Sequence, residues 1–244
     1  MKRSFCDLHL RINPKDAVVT QKTLEKAKQL GYKIISIPFS NQLEEANAQA
    51  LKAASADLGL DFVLRADFKP RNQEDLMRFL RKFRRKLEVI CILCDNKDLA
   101  RQAAKDRRVD LINFPSLDYH KRFFDRAQAE LASSSLTALE IDVKPLLVLE
   151  GPPRVRFLSS LRREVLIAKE FHVPLVVSSG LAELGLMRMP LDLASLGFLF
   201  GLNESEALDA VSAAPNEILT RNREKLDSKF IAPGITLVRE ADPK

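Results

Sequence analysis

An α/β chain whose parallel strands close into a TIM-like (β/α) barrel is what this sequence predicts, and three observations carry the prediction. Short apolar, β-branched segments alternate with longer segments of helical period along the chain. Seven such strands recur at intervals of about thirty residues, which suits βα units closing on themselves better than an open sheet. The connections are short, and no linker or low-complexity stretch interrupts residues 1–244. They read as one barrel domain with outer helices.

The unit at 157–180 displays the pattern most fully. Phe157, Leu158, Leu161, Val165 and Ala168 recur at three- and four-residue steps and gather on one helical face. His172 and Val173 end the helix, because the residue before Pro174 is pushed away from α conformation. Leu175, Val176 and Val177 then read as a strand buried on both faces, closed by the polar turn Ser178-Ser179-Gly180.

The other elements follow the same logic in order. Residues 4–10 form the first strand, 21–30 a helix stopped by Gly31, and 33–37 the second strand, ended by Pro38. A helix over 43–58 is stopped by Gly59, and the third strand is 62–65. The helix 73–86 precedes strand 89–93, and the helix 98–106 precedes strand 111–114. Residues 121–133 read as helical, 138–143 as a strand, and 142–153 as the one long irregular connection. After the unit at 157–180 come helices over 192–200 and 204–214, another starting near Asn216, and a terminal strand over 235–238.

Composition narrows the class. With 46% hydrophobic residues in 244, the chain can bury roughly 70–75% of its unfolded surface. No apolar run reaches the length of about 18 residues that a membrane span needs, and the first residues lack a signal-peptide core. Three cysteines, an odd number, point to free thiols and a cytoplasmic location. A net charge of +6 is moderately basic, so the clustering of cations must decide whether nucleic acid is the partner.

On the first strand, Asp7 and His9 stand two apart and share a face. The next residue of that face is Arg11, a cation that would repel a divalent metal, and three histidines are few for a metal cluster. With Arg65, Ser178 and Ser179 at other strand ends, these residues read as the polar mouth of the barrel, with no metal and no catalytic set. Cys91 and Cys94, three apart on one strand, point to opposite faces and read as core thiols.

The helix near 76–87 is the strongest candidate for binding. Leu76, Leu80, Phe83 and Leu87 make its buried stripe. Arg78, Arg81, Lys82 and Arg85 share the far face, flanked by Arg84 and Lys86, with no acid between Asp75 and Glu88. Such a band suits RNA phosphates. Arg107, Arg108, Lys121 and Arg122 add charge at helix ends, and Arg162 and Arg163 add it on the helix of the unit at 157–180. With two tyrosines and no tryptophan, backbone and shape recognition of folded RNA fits better than base stacking.

Several segments together resemble a known family. FCDLHLR at the start, DLINFP at 110–115, RFFDRAQAELA at 122–132, LRREVLIAKEFHVPLVVSSG at 161–180, DLASLGFLFGL, EALDAVSAAPNEIL and PGI at 233–235 are similar to the archaeal ribonuclease P protein component 3 family. This family is the counterpart of the thirty-kilodalton eukaryotic subunit. The resemblance implies a barrel of the polymerase-and-histidinol-phosphatase (PHP) superfamily type. It also implies a subunit of the endoribonuclease that removes 5′ leaders from precursor tRNA, a hydrolase whose catalysis comes from the RNA subunit and its magnesium ions. The implied partners are ribonuclease P RNA, precursor tRNA in the complex, protein component 2 and other protein subunits.

That superfamily carries a His-x-His metal motif on its first strand, where this chain reads Asp7-Leu8-His9-Leu10-Arg11. The departure implies a barrel without hydrolytic metals. Two functions from different classes follow: an RNA-stabilising subunit of ribonuclease P, or a metal-dependent phosphoesterase using Asp7 and His9.

Overall fold

The computed structural model describes residues 3–39, 45–232 and 235–236. Its first half runs β1 (Cys6–Asp7), α1 (Ala17–Leu30), β2 (Ile34–Ile35), α2 (Glu45–Asp57), β3 (Asp61–Phe62), β4 (Arg65–Phe68), α3 (Gln73–Phe83), β5 (Val89–Leu93) and α4 (Lys97–Ala104). Then follow β6 (Leu111–Asn113), α5 (Arg126–Ser135), β7 (Ala138–Asp142), α6 (Lys144–Val148), α7 (Gly151–Glu170) and β8 (Leu175–Ser178). The chain ends with α8 (Pro190–Gly197), α9 (Glu204–Ala210), α10 (Ala213–Leu226), β9 (Phe230–Ala232) and β10 (Ile235–Thr236).

Two parallel sheets result, ordered β1-β2-β3 and β4-β5-β6-β7-β8, beside an antiparallel β9-β10 ribbon. The parallel sheets meet at two seams. Phe39, beyond β2, bridges Ala66 of β4, and Leu10, beyond β1, bridges Leu181 beyond β8. At the second seam Gly180 N donates to His9 O at 3.0 Å and Arg11 N to Leu181 O at 2.7 Å.

Strand side chains alternate between one shared apolar cluster and two others, Ile35 and Phe62 of the first sheet belonging to the smaller of these. Cys6, Ile34, Val63, Val89, Cys91, Leu111, Ala138 and Val176 form the shared one, together with Ile218 and Leu219 of α10. The intervening Ile90, Ile92, Ile112, Leu139, Ile141 and Val177 pack with the helices in the larger cluster. Strands buried on both faces are what an apolar period requires when helices cover a parallel sheet. Cys91 and Cys94 fall in different clusters, as free buried thiols. Helix α10 covers the N-terminal ends of the strands: Asn222 Nδ2 donates to Asp110 Oδ1 at 2.7 Å, and Arg223 donates to both oxygens of Asp61 at 2.7 Å.

Several boundaries differ from the sequence reading, each for a local reason. Helix α1 starts at Ala17, capped by Asp16 Oδ1 on Val19 N at 3.0 Å; the β-branched run after Ala17 hid its first turn. The third strand continues through β4 to Phe68, with the charged Arg65 and Asp67 at its alternate positions. The segment at 121–133 is not one helix: a 3-10 turn covers Tyr119–Lys121, and Asp125 caps α5 through Gln128 N at 2.9 Å. The connection at 142–153 contains α6 and the start of α7, whose Pro152 and Pro153 occupy a first turn that needs no N–H donor. The helix expected over 204–214 ends at Ala210 before α10 begins. Strand β9 was not anticipated. Leu43 and Glu44 of the expected second helix, Pro233 and Gly234 of the PGI motif, and residues 237–238 of the terminal strand lie outside the described residues.

Candidate functional site

The C-terminal strand ends gather a buried cluster of charge. Arg65 and Asp67 arrive on β4, Glu140 and Asp142 on β7, Ser178 on β8, and His9 just beyond β1. β4 and β7 each contribute two residues a step of two apart, so the period-two geometry aims these four at one point. Arg65, fully buried, donates from Nη1 to Glu140 Oε1 at 2.5 Å and from Nη2 to Oε2 at 2.6 Å. Its Nε donates to Asp67 Oδ1 at 2.6 Å, and Nη1 also reaches Leu8 O at 3.0 Å. Ser178 Oγ and Asn113 Nδ2 also donate to Glu140, at 2.7 and 3.0 Å, and the Cys91 thiol reaches its Oε2 at 3.6 Å.

His9 lies between two carboxylates. Its Nδ1 is 2.7 Å from Asp142 Oδ1, and its Nε2 is 2.8 Å from Asp67 Oδ2. Burial disfavours the charged imidazole, but Asp142 and then Asp67 outweigh it and push the His9 pKa up to about 10. Burial also opposes ionisation of Asp67, yet Arg65 and His9 hold its carboxyl well below the usual range; Asp142 is lowered too, His9 outweighing its burial. Two cations thus face three carboxylates. Gly180 makes room for this packing: at φ +64, a Cβ there would stand 2.7 Å from Asp142 Cγ.

His9, Glu140 and Asp142 place one ligand atom each within 4.8 Å of one another, a donor set chemically suited to a divalent cation. The surroundings fit a metal poorly. Both Glu140 oxygens are held by the Arg65 guanidinium, and the two His9 nitrogens face Asp142 and Asp67. A dication would sit beside a buried, paired guanidinium.

The sequence reading put Asp7 and His9 on one face and made Arg11 the excluding cation; both points are corrected. Regular pairing lapses after Asp7, so alternation fails across Leu8 and His9. Asp7 Oδ1 instead accepts from His9 N at 3.2 Å and Ser179 N at 3.1 Å. Leu10 returns to the seam with Leu181, and Arg11 is exposed beyond it. The cation among the acids is Arg65. Ser179 bridges locally, its Oγ 3.3 Å from His9 O. Asp67, Glu140 and Asp142 were missed, although acids at alternate positions of apolar strands are a legible signal.

The basic residues divide among several surroundings. Arg81, Lys82 and Arg85 are exposed on α3 or just beyond it, but Arg78 pairs with Glu74 at 2.8 Å across one helical turn. Arg84 turns inward to Asp110 Oδ2 at 2.5 Å, and Arg108 pairs with Asp106 at 2.7 Å. Arg84, Arg85, Arg107, Arg108 and Lys225 nevertheless line one cleft of about 640 Å³ at the N-terminal strand ends, opposite the His9 cluster. Burial and then Arg221 hold the Lys225 amine below its ordinary value, and Arg84 adds a smaller push, a mark of crowded positive charge.

Arg122 is corrected as a surface contact. It is buried, donating to Glu164 Oε2 at 2.5 Å and to Phe114 O at 2.9 Å. Arg162 and Arg163 are exposed on α7, donating to Leu199 O and Arg122 O. Lys121 is exposed in the 3-10 turn.

Comparison with known proteins supplies the family. A model described as RNase P subunit p30 matches residues 4–227. Ribonuclease P protein component 3 of Methanosarcina barkeri is 28% identical, covering 99% of this chain and 98% of the relative. Its namesake from Methanosarcina mazei is 27% identical over 98% and 95%. Among solved structures, a chain in the cryo-EM structure of archaeal ribonuclease P with mature tRNA matches with TM-score 0.84 at 22% identity, over 98% of this chain and all of that one. Histidinol phosphate phosphatase from Lactococcus lactis, complexed with zinc, L-histidinol and phosphate, matches with TM-score 0.54 at 10% identity, over 84% and 94%. A family match spanning all elements but the short terminal ribbon places this chain in the RNase P subunit p30 family.

Proposed function

We infer that this chain is a protein subunit of ribonuclease P that binds and stabilises the catalytic RNA removing 5′ leaders from precursor tRNA. The observation that carries the reading is the family match over residues 4–227. The basic cleft and the exposed face of α3 supply surfaces on which RNA phosphates bind. Protein component 2, the other protein subunits and precursor tRNA complete the particle, which works in the cytoplasm. No described helix is long and apolar enough to cross a membrane.

The fold, in this reading, is one PHP-type barrel domain of seven strands, with β3 and β4 as two parts of one stave. The two seams and the likeness to histidinol phosphate phosphatase support it. Cleavage is assigned to the RNA subunit and its magnesium ions, and this chain carries no metal of its own. The alternative, a metal-dependent phosphoesterase, is disfavoured because Arg65 already holds both oxygens of Glu140, and His9 is taken up by Asp142 and Asp67.

A reconstituted particle tests this directly. Omitting the chain lowers cleavage of precursor tRNA and restoring it recovers the rate, while the isolated chain with manganese leaves a generic phosphodiester intact. Hydrolysis by the isolated chain that vanishes in His9→Ala would establish the phosphoesterase instead.

A further inference from the structure

Next to the Arg122–Glu164 pair, the 3-10 turn Tyr119–Lys121 packs against α7 and frames a hollow of about 460 Å³. Tyr119 and His120 line it with ring centroids 4.0 Å apart and planes inclined by 35°. Tyr119 is half-buried and His120 exposed, so part of this aromatic pair is open to solvent. The Arg156 guanidinium lies 5.7 Å from the Tyr119 ring centroid, and Arg163 lines the same hollow. Arg156, Arg163 and Lys121 are exposed, and none of them has a carboxylate partner among the described residues. The one carboxylate lining the hollow, Asp125, is already paired with Lys97 and Arg101. The buried Arg122 holds the turn to α7 through Glu164, so the platform is anchored from beneath.

We propose that this hollow takes one unpaired nucleotide of an RNA strand, its base stacking on the outer face of His120, which Tyr119 backs, and its flanking phosphates held by Arg156, Arg163 and Lys121. A volume of about 460 Å³ lies within the range of small-ligand sites and is ample for a nucleotide. Flat rings edged by unpaired guanidinium groups are the chemistry that single-stranded nucleic acid uses, where every base offers a π-face. An acidic peptide would use the cations and leave the ring pair idle. The inference rests on the reading of the chain as an RNA-binding subunit. It adds base recognition to a protein whose scarcity of aromatics pointed to backbone contacts alone.

The test is binding of a fluorescent single-stranded RNA and of a duplex of equal length to the full chain, across a salt series. His120→Ala weakens single-strand binding about 5- to 150-fold, the effect of removing one stacking ring, with an unchanged salt slope and little effect on the duplex. His120→Phe, which keeps a ring there, restores it, and an unchanged melting temperature in both variants certifies the fold. Arg156→Ala with Arg163→Ala flattens the single-strand salt slope by about 1 to 1.5. Equal affinity of wild type and His120→Ala for the single strand overturns the proposal while leaving the subunit reading intact if duplex RNA still binds. Displacement of the single strand by polyglutamate at equal charge concentration also overturns it, since charge alone would then be read. A chain that binds neither RNA removes the proposal and the RNA-binding reading together.

Discussion

Changing Glu140 to Gln keeps the shape of the buried cluster and removes one charge, so it isolates what the carboxylate does. In the wild type both Glu140 oxygens accept from Arg65, at 2.5 and 2.6 Å, and each accepts a further bond from Ser178 or Asn113. An amide presents an NH2 group where the guanidinium needs an acceptor. Arg65 is then left buried with one neutral amide oxygen, Asp67 and Leu8 O as close partners, and one of its N–H groups faces a donor. Breaking one side of a buried ion pair costs about 3–5 kcal/mol. For a chain of this size each kcal/mol lowers the melting temperature by about 2–4 °C, so a fall of about 6–20 °C is expected in calorimetry. Arg65→Met should fall comparably, and the double variant should lose less than the sum, because the two residues are one interaction. Below the transition, the reconstituted particle should cleave precursor tRNA within about threefold of wild type, a rate change equivalent to under about 0.7 kcal/mol. An unshifted melting temperature with cleavage reduced by orders of magnitude would refute this, placing the carboxylate in the chemistry.

His9 supplies a pH signature. Its folded pKa of about 10 lies above its ordinary value of 6.5, so its contribution is complete below that value and is lost as pH rises toward 10. Melting temperature should therefore decline from pH 7 to 10 more steeply in wild type than in His9→Gln; parallel profiles would contradict the protonated assignment. His9→Ala in the assembled particle should leave precursor cleavage within a few-fold of wild type. Gly180→Ala combines a left-handed φ with a Cβ 2.7 Å from Asp142 Cγ, and should lower stability by at least about 1–2 kcal/mol in denaturant titration. Leu166, 68% exposed on α7, should tolerate Asp within about 0.5 kcal/mol in folding yet weaken particle assembly; equal loss of both would make it part of the core. Replacing Arg81 and Arg85 with Ala should flatten the salt dependence of RNA binding by about 1 to 2, and an unchanged slope would move that contact off α3.

Local period was legible without coordinates. The apolar steps through Phe157, Leu161, Val165 and Ala168 correctly gave the buried face of α7, and the same wheel left Leu166 outside. Val89–Leu93 was read to the residue, because a short apolar run between Glu88 and Asp95 leaves little else to be. Opposite faces for Cys91 and Cys94 follow from the two-residue period alone. The family resemblance was legible too, since it rests on residue order. What stayed hidden depends on residues far apart in the chain. Arg65 reaches Glu140 across 75 positions and Arg122 reaches Glu164 across 42, so no window of sequence contains either pair. Arg122 looked like a surface cation because charge is normally exposed, and only its burial against a carboxylate from another helix reverses that. Asp7 and His9 were misread for a related reason: alternation assumes a continuous ladder, and whether pairing persists is decided by the neighbouring strand. Sequence thus determined which segments are amphipathic and which family they spell. Tertiary structure decided which charges neutralise one another, because a Coulomb partner is chosen by distance in space.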